Sequence, residues 1–466
     1  MGLSRRELIA CGAAGMLCGQ RAAPASILRP EDFGASGDGT TNDTSAFQRL
    51  AGELNRRGGG TVVLGMGRTY VVGAQSFGPR GWEAQPILEL ERLTGPLTII
   101  GSGARLLAQP GLRFGTFDRQ SGKPVHHPLP YFGQGDAASA YLGMIVVRDC
   151  RGSVHIRDLE LDGNMGQLRI GGGFGDTGWQ IPATGLLLIG NRADEIVDHV
   201  HTHDHAQDGA MFIGAPERQA RGTVRGLVSR SNGRQGLSVT SGRGYDLKDC
   251  EFSHNARSLV KSAPAAGVDV EAETAPIDDI NFNRCRFIDN GGCGFVADSG
   301  DSRNIRFTDC LFVGTKNWSA WPNKPGCRFA GCTFVGSVVH AFPDRDPRRA
   351  AQFTRCTFTD DPKLSPTRKV YTGSGPIVNL ALSENVLFDH CTFRLVGAGL
   401  LPWSWKATYR GCTMSQRSAK VATPKGRYLG RTTISAPVDL YGSMIEGTVI
   451  LNGRRIPTGG VGVPAW

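Results

Sequence analysis

Charge is thin in this chain: Asp, Glu, Lys and Arg make up 20% of 466 residues, and aromatics 8%. No apolar run reaches the ~20 residues that a membrane-spanning helix needs, so no membrane insertion is expected. No glycine-rich loop leads into a helix to cradle phosphate, which excludes an ordinary nucleotide site. The low charge also argues against a coiled coil and against disorder. Glycine, by contrast, is plentiful: 65 residues, about twice the usual ~7%. Glycine-rich, β-branched and turn-rich chains of this length build many short strands. A length prior of roughly three domains gives way where the chain repeats.

The first residues pair Arg5 with Arg6, follow with an apolar run from Ile9 to Gly19, and reach Ala23-Pro24-Ala25. That layout matches a twin-arginine export signal over residues 1–25, with cleavage before Ser26 and a periplasmic or extracellular destination. The remainder, 26–466, is expected to be one domain, with a capping segment at about 30–60 and last coils plus a basic tail at about 415–466. Net charge is +10, and from Leu401 to Trp466 basic residues outnumber acidic ones nine to two. A basic surface favours an anionic partner such as an acidic glycan, or is simply solvated. Nucleic acid is not expected as a partner, because no nucleic-acid motif accompanies the charge and the protein reads as exported.

Twelve cysteines in an exported chain would ordinarily indicate disulfides. Their spacing indicates a repeat. Cys250, Cys285, Cys310, Cys332, Cys356, Cys391 and Cys412 are each followed two residues later by Phe or Met, at separations of 35, 25, 22, 24, 35 and 21 residues. A period in the low twenties with occasional insertions is that of one coil of a parallel β-helix. Residues i and i+2 point the same way on a strand, so stacked coils make an inward ladder of reduced thiols beside a ladder of rings. Asn232, Asn255 and Asn290 mark a second ladder of amides, with His205 in the matching place one coil earlier. The expected fold is all-β, a right-handed parallel β-helix with an N-terminal capping helix. That helix is expected from Thr44 to Arg57, with Phe47, Leu50, Ala51 and Leu54 on one face and Gly58-Gly59-Gly60 stopping it. Irregular loops near 73–85, 115–140 and 163–182 are long enough to wall a groove.

Glu31-Asp32-Phe33-Gly34-Ala35, Gly37-Asp38-Gly39, Thr41-Asn42-Asp43-Thr44 and Gly58-Gly59-Gly60-Thr61-Val62 together resemble the opening of the pectate-lyase-like superfamily in bacterial and phage proteins. Arg234-Gln235-Gly236-Leu237-Ser238-Val239 resembles a central block of one branch, as does Pro264 through Glu271. The resemblance covers roughly residues 30–400 and implies a β-helix acting on polysaccharide. It does not fix the reaction. The Asn-Thr-Asp, Asp-Asp and Gly-His-Gly series of polygalacturonases is not evident, and the Asp-Pro-His of alginate epimerases is absent.

Aligning the coils on Gly209, Gly236, Gly267 and Gly294 turns Ala210, Leu237, Val268 and Phe295 inward. Met211, Ser238, Asp269 and Val296 then point outward, followed by Ile213, Thr240, Glu271 and Asp298. Asp269 and Glu271 share a face, their β-carbons two strand rises or about 6.6 Å apart, and Glu271 and Asp298 are expected about 4.8 Å apart across coils. Asp208 precedes its glycine on the same ribbon. Paired carboxylates at such separations suit glycoside hydrolysis, and crowding raises one pKa. The bland reading is a solvated acidic face, or acids paired with Arg234 and Arg257.

His199, His201, His203 and His205 alternate on one strand. Imidazoles ~6.6 Å apart on a flat strand converge poorly, so no metal is assigned. His203 and His205 are candidates for substrate binding, or ladder residues, and Arg234, Gln235, Ser238 and Lys261 join them near the groove. Trp179, Trp318, Trp321, Trp403 and Trp405 can stack on sugars or pack in the core. The expected function is therefore an exported enzyme cleaving polysaccharide, by hydrolysis through Asp269, Glu271 and either Asp208 or Asp298, with no cofactor required. Two alternatives stay open. One is a lyase on a uronate glycan, for which calcium is an available cation and Arg234, Lys261 or His203 the candidate bases. The other is a non-catalytic glycan-binding β-helix of the envelope.

Overall fold

The computed structural model describes residues 27–462 except 79–80, 127–135, 174, 177–178, 374 and 381. The twin-arginine segment and Cys11 and Cys18 lie outside the described residues, as does the side chain of Trp179. Among the described residues no helix is long and apolar enough to cross a membrane.

Helix α1 spans Thr44–Arg57 and ends on Gly58, whose φ of 73° suits glycine. Its Phe47, Leu50, Ala51 and Leu54 are buried, in one core that runs on from Leu28 to Val449. Asn42 Oδ1 accepts the Thr44 N–H at 3.0 Å. Asp43 instead turns back to accept the N–H groups of Ser36 and Gly37. The Gly37-Asp38-Gly39 turn is thereby tied to the start of the helix.

Beyond α1 nearly every strand pairs in parallel with its counterpart one coil later. The strands that place the candidate site are β1 (Leu97–Ala108), β2 (Val154–Asp162), β3 (Glu195–His203), β4 (Ala210–Ile213), β5 (Leu237–Lys248), β6 (Val268–Val270), β7 (Phe295–Ala297), β8 (Ala320–Pro322) and β9 (Trp403–Arg410). β1, β2 and β3 each turn a corner at a residue of positive φ (Ser102, Asp158 and His199), so one long strand serves two faces of the coil. The inward row on the first face is Ala210, Leu237, Val268, Phe295 and Ala320, in the register set by the glycines. Close stacking explains those glycines: a Cβ on Gly267 would meet the Gly294 carbonyl oxygen at 2.4 Å.

The ten described cysteines are all reduced and buried. Phe252, Phe287, Phe312, Phe334, Phe358 and Phe393 stack beside them with ring centroids 4.6 to 5.6 Å apart. A second aromatic ladder, not anticipated above, runs through Phe282, Phe307, Phe329, Phe353, Phe388, Tyr409 and Tyr428 at 4.7 to 5.3 Å. Its signal was present, since each of Phe282, Phe307, Phe329, Phe353, Phe388 and Tyr409 stands three residues before a ladder cysteine. The amide ladder also forms: Asn232 Nδ2 donates to Asn255 Oδ1, and Asn255 Nδ2 to Asn290 Oδ1, each at 2.9 Å.

Two expectations are corrected. The segments near 73–85, 115–140 and 163–182 are not simply irregular: Gln75–Gly78, Gly81–Ala84, Arg113–Thr116, Ala137–Ala138 and Arg169–Ile170 join in a separate five-stranded sheet. The four alternating histidines do not share one face, because the chain turns at His199 (φ 49°) and again at Asp204 (φ 54°), beyond which His205 is buried. At the C-terminal end Thr448–Leu451 completes its stack and pairs antiparallel with Arg454–Ile456.

Candidate active-site cleft

The outward row of the first face reads Met211, Ser238, Asp269, Val296 and Trp321, each beside the next across coils. A cleft of about 570 Å³ opens over it. Asp269, Glu271, Glu273 and Asp298 face this space together with Arg234, Trp318 and Trp321. Four carboxyl groups thus meet a single guanidinium.

Asp269 is 5% exposed and accepts a hydrogen bond from Gln235 Nε2 at 2.9 Å. Burial pushes its carboxyl up to about 7, with Arg234 and the Gln235 amide pulling it down and Glu271 and Asp208 pushing it further up. Burial also raises Glu273, with Glu271 adding to the effect. Glu271 accepts from the Ser299 hydroxyl, whereas Asp298 accepts from Asn323 Nδ2 at 2.8 Å. The cross-coil ladder between β6 and β7 stops at Asp269 and Val296. Glu271 and Asp298 therefore lie past the paired strands and line the cleft with separate partners, not as a ladder pair.

Three of the residues singled out from sequence lie behind the cleft. Asp208 is fully buried, accepting from Arg234 Nη1 at 3.2 Å and from the Ser238 hydroxyl at 2.8 Å. Burial raises its carboxyl, against the pull of Arg234. Gln235 and Ser238 are buried too and do not line the cleft; they hold Asp269 and Asp208 in place. Arg234 is fixed by a second bond from Nε to the Ala263 carbonyl at 3.2 Å.

A family model described as the right handed beta helix region matches residues 145–337. The parallel coil-to-coil pairing of the described strands agrees with that match. "Depolymerase 1, capsule KN3-specific" of Klebsiella phage KN3-1 is 24% identical over 355 residues, covering 66% of this chain and 39% of that protein. The chain thus spans well under half the length of this relative. Among solved structures, the N-terminal fragment of bacteriophage phi29 gene product 12 is 12% identical with a TM-score of 0.59, covering 93% of this chain and 73% of that one. The pre-mature form of the same phage protein is 11% identical at a TM-score of 0.56, covering 93% and 58%. At these identities the likeness is one of fold.

The remaining predicted residues of the β-helix sit elsewhere. His205 is fully buried at the head of the amide ladder, where its backbone N–H donates to Asn232 Oδ1 at 3.1 Å. Its Nε2 donates to the Leu161 carbonyl at 3.1 Å, which leaves Nδ1 to accept the Tyr141 hydroxyl at 2.9 Å. Burial pushes the imidazole down to about 3. A substrate-binding role for His205 is thereby corrected to the ladder role. His203 lies on another face of the coil, against Glu160 and Asp204. Lys261 is exposed and does not line the cleft.

Sequence reasoning did not place Glu273, Gln180 or Gln207 at the cleft, although all three line it. A signal existed for Trp321. Ser319 occupies the position after Gly294 in the glycine row, and extending the alignment through it puts Trp321 outward beside Val296.

Proposed function

We propose that the β-helix is an exported glycoside hydrolase that cleaves a polysaccharide lying along the first face, with Asp269 as general acid and Glu271 as its partner. One observation carries the reading: Asp269 is a buried carboxyl held near neutrality in an open cleft, beside further carboxylates. A carboxyl raised in this way stays protonated long enough to donate to a leaving-group oxygen, while a neighbour works as base or nucleophile. Asp208 and Gln235 are positioning residues. Asp208 anchors Arg234, and the Gln235 amide fixes the Asp269 oxygen. Asp298 then serves substrate binding at the edge of the cleft. The name of the phage relative, a capsule depolymerase, supports a polysaccharide as substrate.

The polymer track extends beyond the cleft. Thr240 Oγ1, Trp321 Nε1 and Asn379 Oδ1 are buried polar atoms with no protein hydrogen-bond partner. Trp321 and Asn379 belong to the outward row that continues through Val339 to Trp403 on β9. Unsatisfied polar atoms beside exposed rings suit sugar hydroxyls and sugar faces. The reading also includes twin-arginine export of a folded chain and closure of the first coil by α1.

The lyase alternative is less well served. Elimination needs a base for the C5 proton and a cation for the uronate. Arg234 is committed to Asp208 and Ala263, Lys261 and His203 are not at the cleft, and the acidic lining disfavours a polyanion at the point of cleavage. The test is a panel of neutral and acidic polysaccharides, with and without chelator, following reducing ends and ultraviolet absorbance together. Reducing ends without absorbance, lost in Asp269→Asn, are expected. Absorbance rising with the reducing ends would establish the lyase, and tight binding without either signal would establish a binding scaffold.

A further inference from the structure

A second polar cluster lies on a different face from the cleft, where β2 and β3 pair in the coils that precede it. The register sets Glu160 beside His201 and Asp162 beside His203, with Arg105 on the coil before and Arg230 on the coil after. The corner at His199 has a consequence here. It sets His199 apart, while His201 and His203, at alternate positions of the strand, face one way, and their rings approach to 4.5 Å between centroids. One nitrogen from each imidazole and one carboxylate oxygen of Glu160 lie within 4.8 Å of one another. His203 Nε2 is 3.0 Å from Glu160 Oε1.

We propose that Glu160, His201 and His203 form a site for one divalent transition-metal ion of the zinc class. Two imidazoles and a carboxylate are a donor set that such ions take, at ~2.0–2.2 Å from each ligand atom. Ligand atoms at those lengths stand about 3–4 Å from one another, as these nearly do. A second, independent observation is that His201 Nε2 is shut off from solvent and has no hydrogen-bond partner, a state that costs free energy unless something occupies it. A third is the support behind His203: its Nδ1 is 2.7 Å from Asp204 Oδ2, the carboxylate–imidazole arrangement that orients metal-binding histidines.

The charge balance permits a cation. Glu160, Asp162 and Asp204 face Arg105 and Arg230, and Arg105 is already paired with Asp162. Arg105 Nε also lies 3.3 Å from Glu160 Oε1, and a bound ion would displace it from that oxygen. Access is open, since Glu160, His199 and His201 line a surface cleft of about 650 Å³. The site lies apart from Asp269, so it stands or falls independently of the hydrolase reading.

The test is a titration of the metal-free full chain, carrying no histidine tag, with Zn²⁺ by calorimetry, alongside thermal unfolding. One Zn²⁺ per chain and a raised Tm are expected. Glu160→Gln and His201→Gln should each abolish that stoichiometric event, and Asp204→Asn should weaken it by about 10- to 100-fold. Asp269→Asn should leave it unchanged. Glu160 is partly exposed, so its amide variant keeps the fold and the test survives even if His201→Gln unfolds. Absence of one-to-one binding in the parent chain, or undiminished binding in Glu160→Gln, would overturn the site.

Discussion

Asp269 is a cleft residue whose environment departs far from its chemistry in water. It is a carboxyl placed where only its neutral form is comfortable, with a single amide donor and with Arg234 turned partly toward Asp208. Its raised value of about 7 sets the expected activity profile. The acid form is lost as pH rises through about 7, so kcat/KM should fall over that limb, and in Asp269→Asn the limb should vanish with the activity. The stability consequence has a definite sign. Between the ordinary value of 3.8 and about 7 the folded chain holds a proton that the unfolded chain has released. Stability contributed by this group is therefore full below that window and lost as pH rises across it. Asp269→Asn should accordingly raise Tm at pH 8 and have little effect at pH 4. Equal shifts at both pH values would show that the carboxyl is not buried as described.

At the scale of the repeating element, stability is concentrated in ladders. Phe312 stacks on Phe287 and Phe334 with rings nearly parallel, and Phe312→Ala should cost about 3–5 kcal/mol in urea denaturation. Asn255 both donates to and accepts from its neighbours. Asn255→Ala removes the shared acceptor of the Asn232 backbone N–H and Nδ2, whereas Asn290 Oδ1 keeps the backbone N–H of residue 255, and the stranded donor costs roughly 1–3 kcal/mol. A reductant should leave Tm unchanged, because the described cysteines are thiols. These ladders were legible in sequence because a period of one coil repeats the same chemistry. Cys310-x-Phe312 and its relatives declare the inward face, and the glycines of the first face declare the register. What was not legible came from the third dimension. An acid paired with Arg234 was open from sequence, but which acid it covers was not, and nothing around Glu195 announces that Arg218 will pair with it out of solvent. The turns at His199 and Asp204 are equally silent, although they decide which histidines meet. Local spacing describes a flat strand, whereas these contacts depend on where the coil bends and what the next coil brings.

Across the whole molecule, the first face supplies a continuous strip whose spacing is that of the coils. From Asp269 the outward row passes Val296, Trp321, Val339 and Asn379 to Trp403, five coil steps or about 24 Å. Trp403 is 38% exposed and Trp405 nearby 55% exposed, with Lys425 lying over the ring of Trp405 at 4.9 Å. A linear polymer held at Asp269 and running toward the C-terminal coils would reach this platform only if it were several sugars long. Trp403→Ala should therefore reduce kcat/KM on long polymer by roughly fivefold, the worth of about 1 kcal/mol of aromatic contact. It should leave the rate on a short oligosaccharide spanning only the cleft unchanged. A loss on both substrates would place the effect at the cleft itself, and no loss on either would mean that the chain leaves the strip before β9. Because Trp403 touches neither Asp269 nor Arg234, the length dependence separates a distal binding subsite from a general disturbance of the fold. That dependence follows from the register alone: the coil that carries the acid and the coil that carries the indole are joined by parallel strands whose stacking fixes the distance between them.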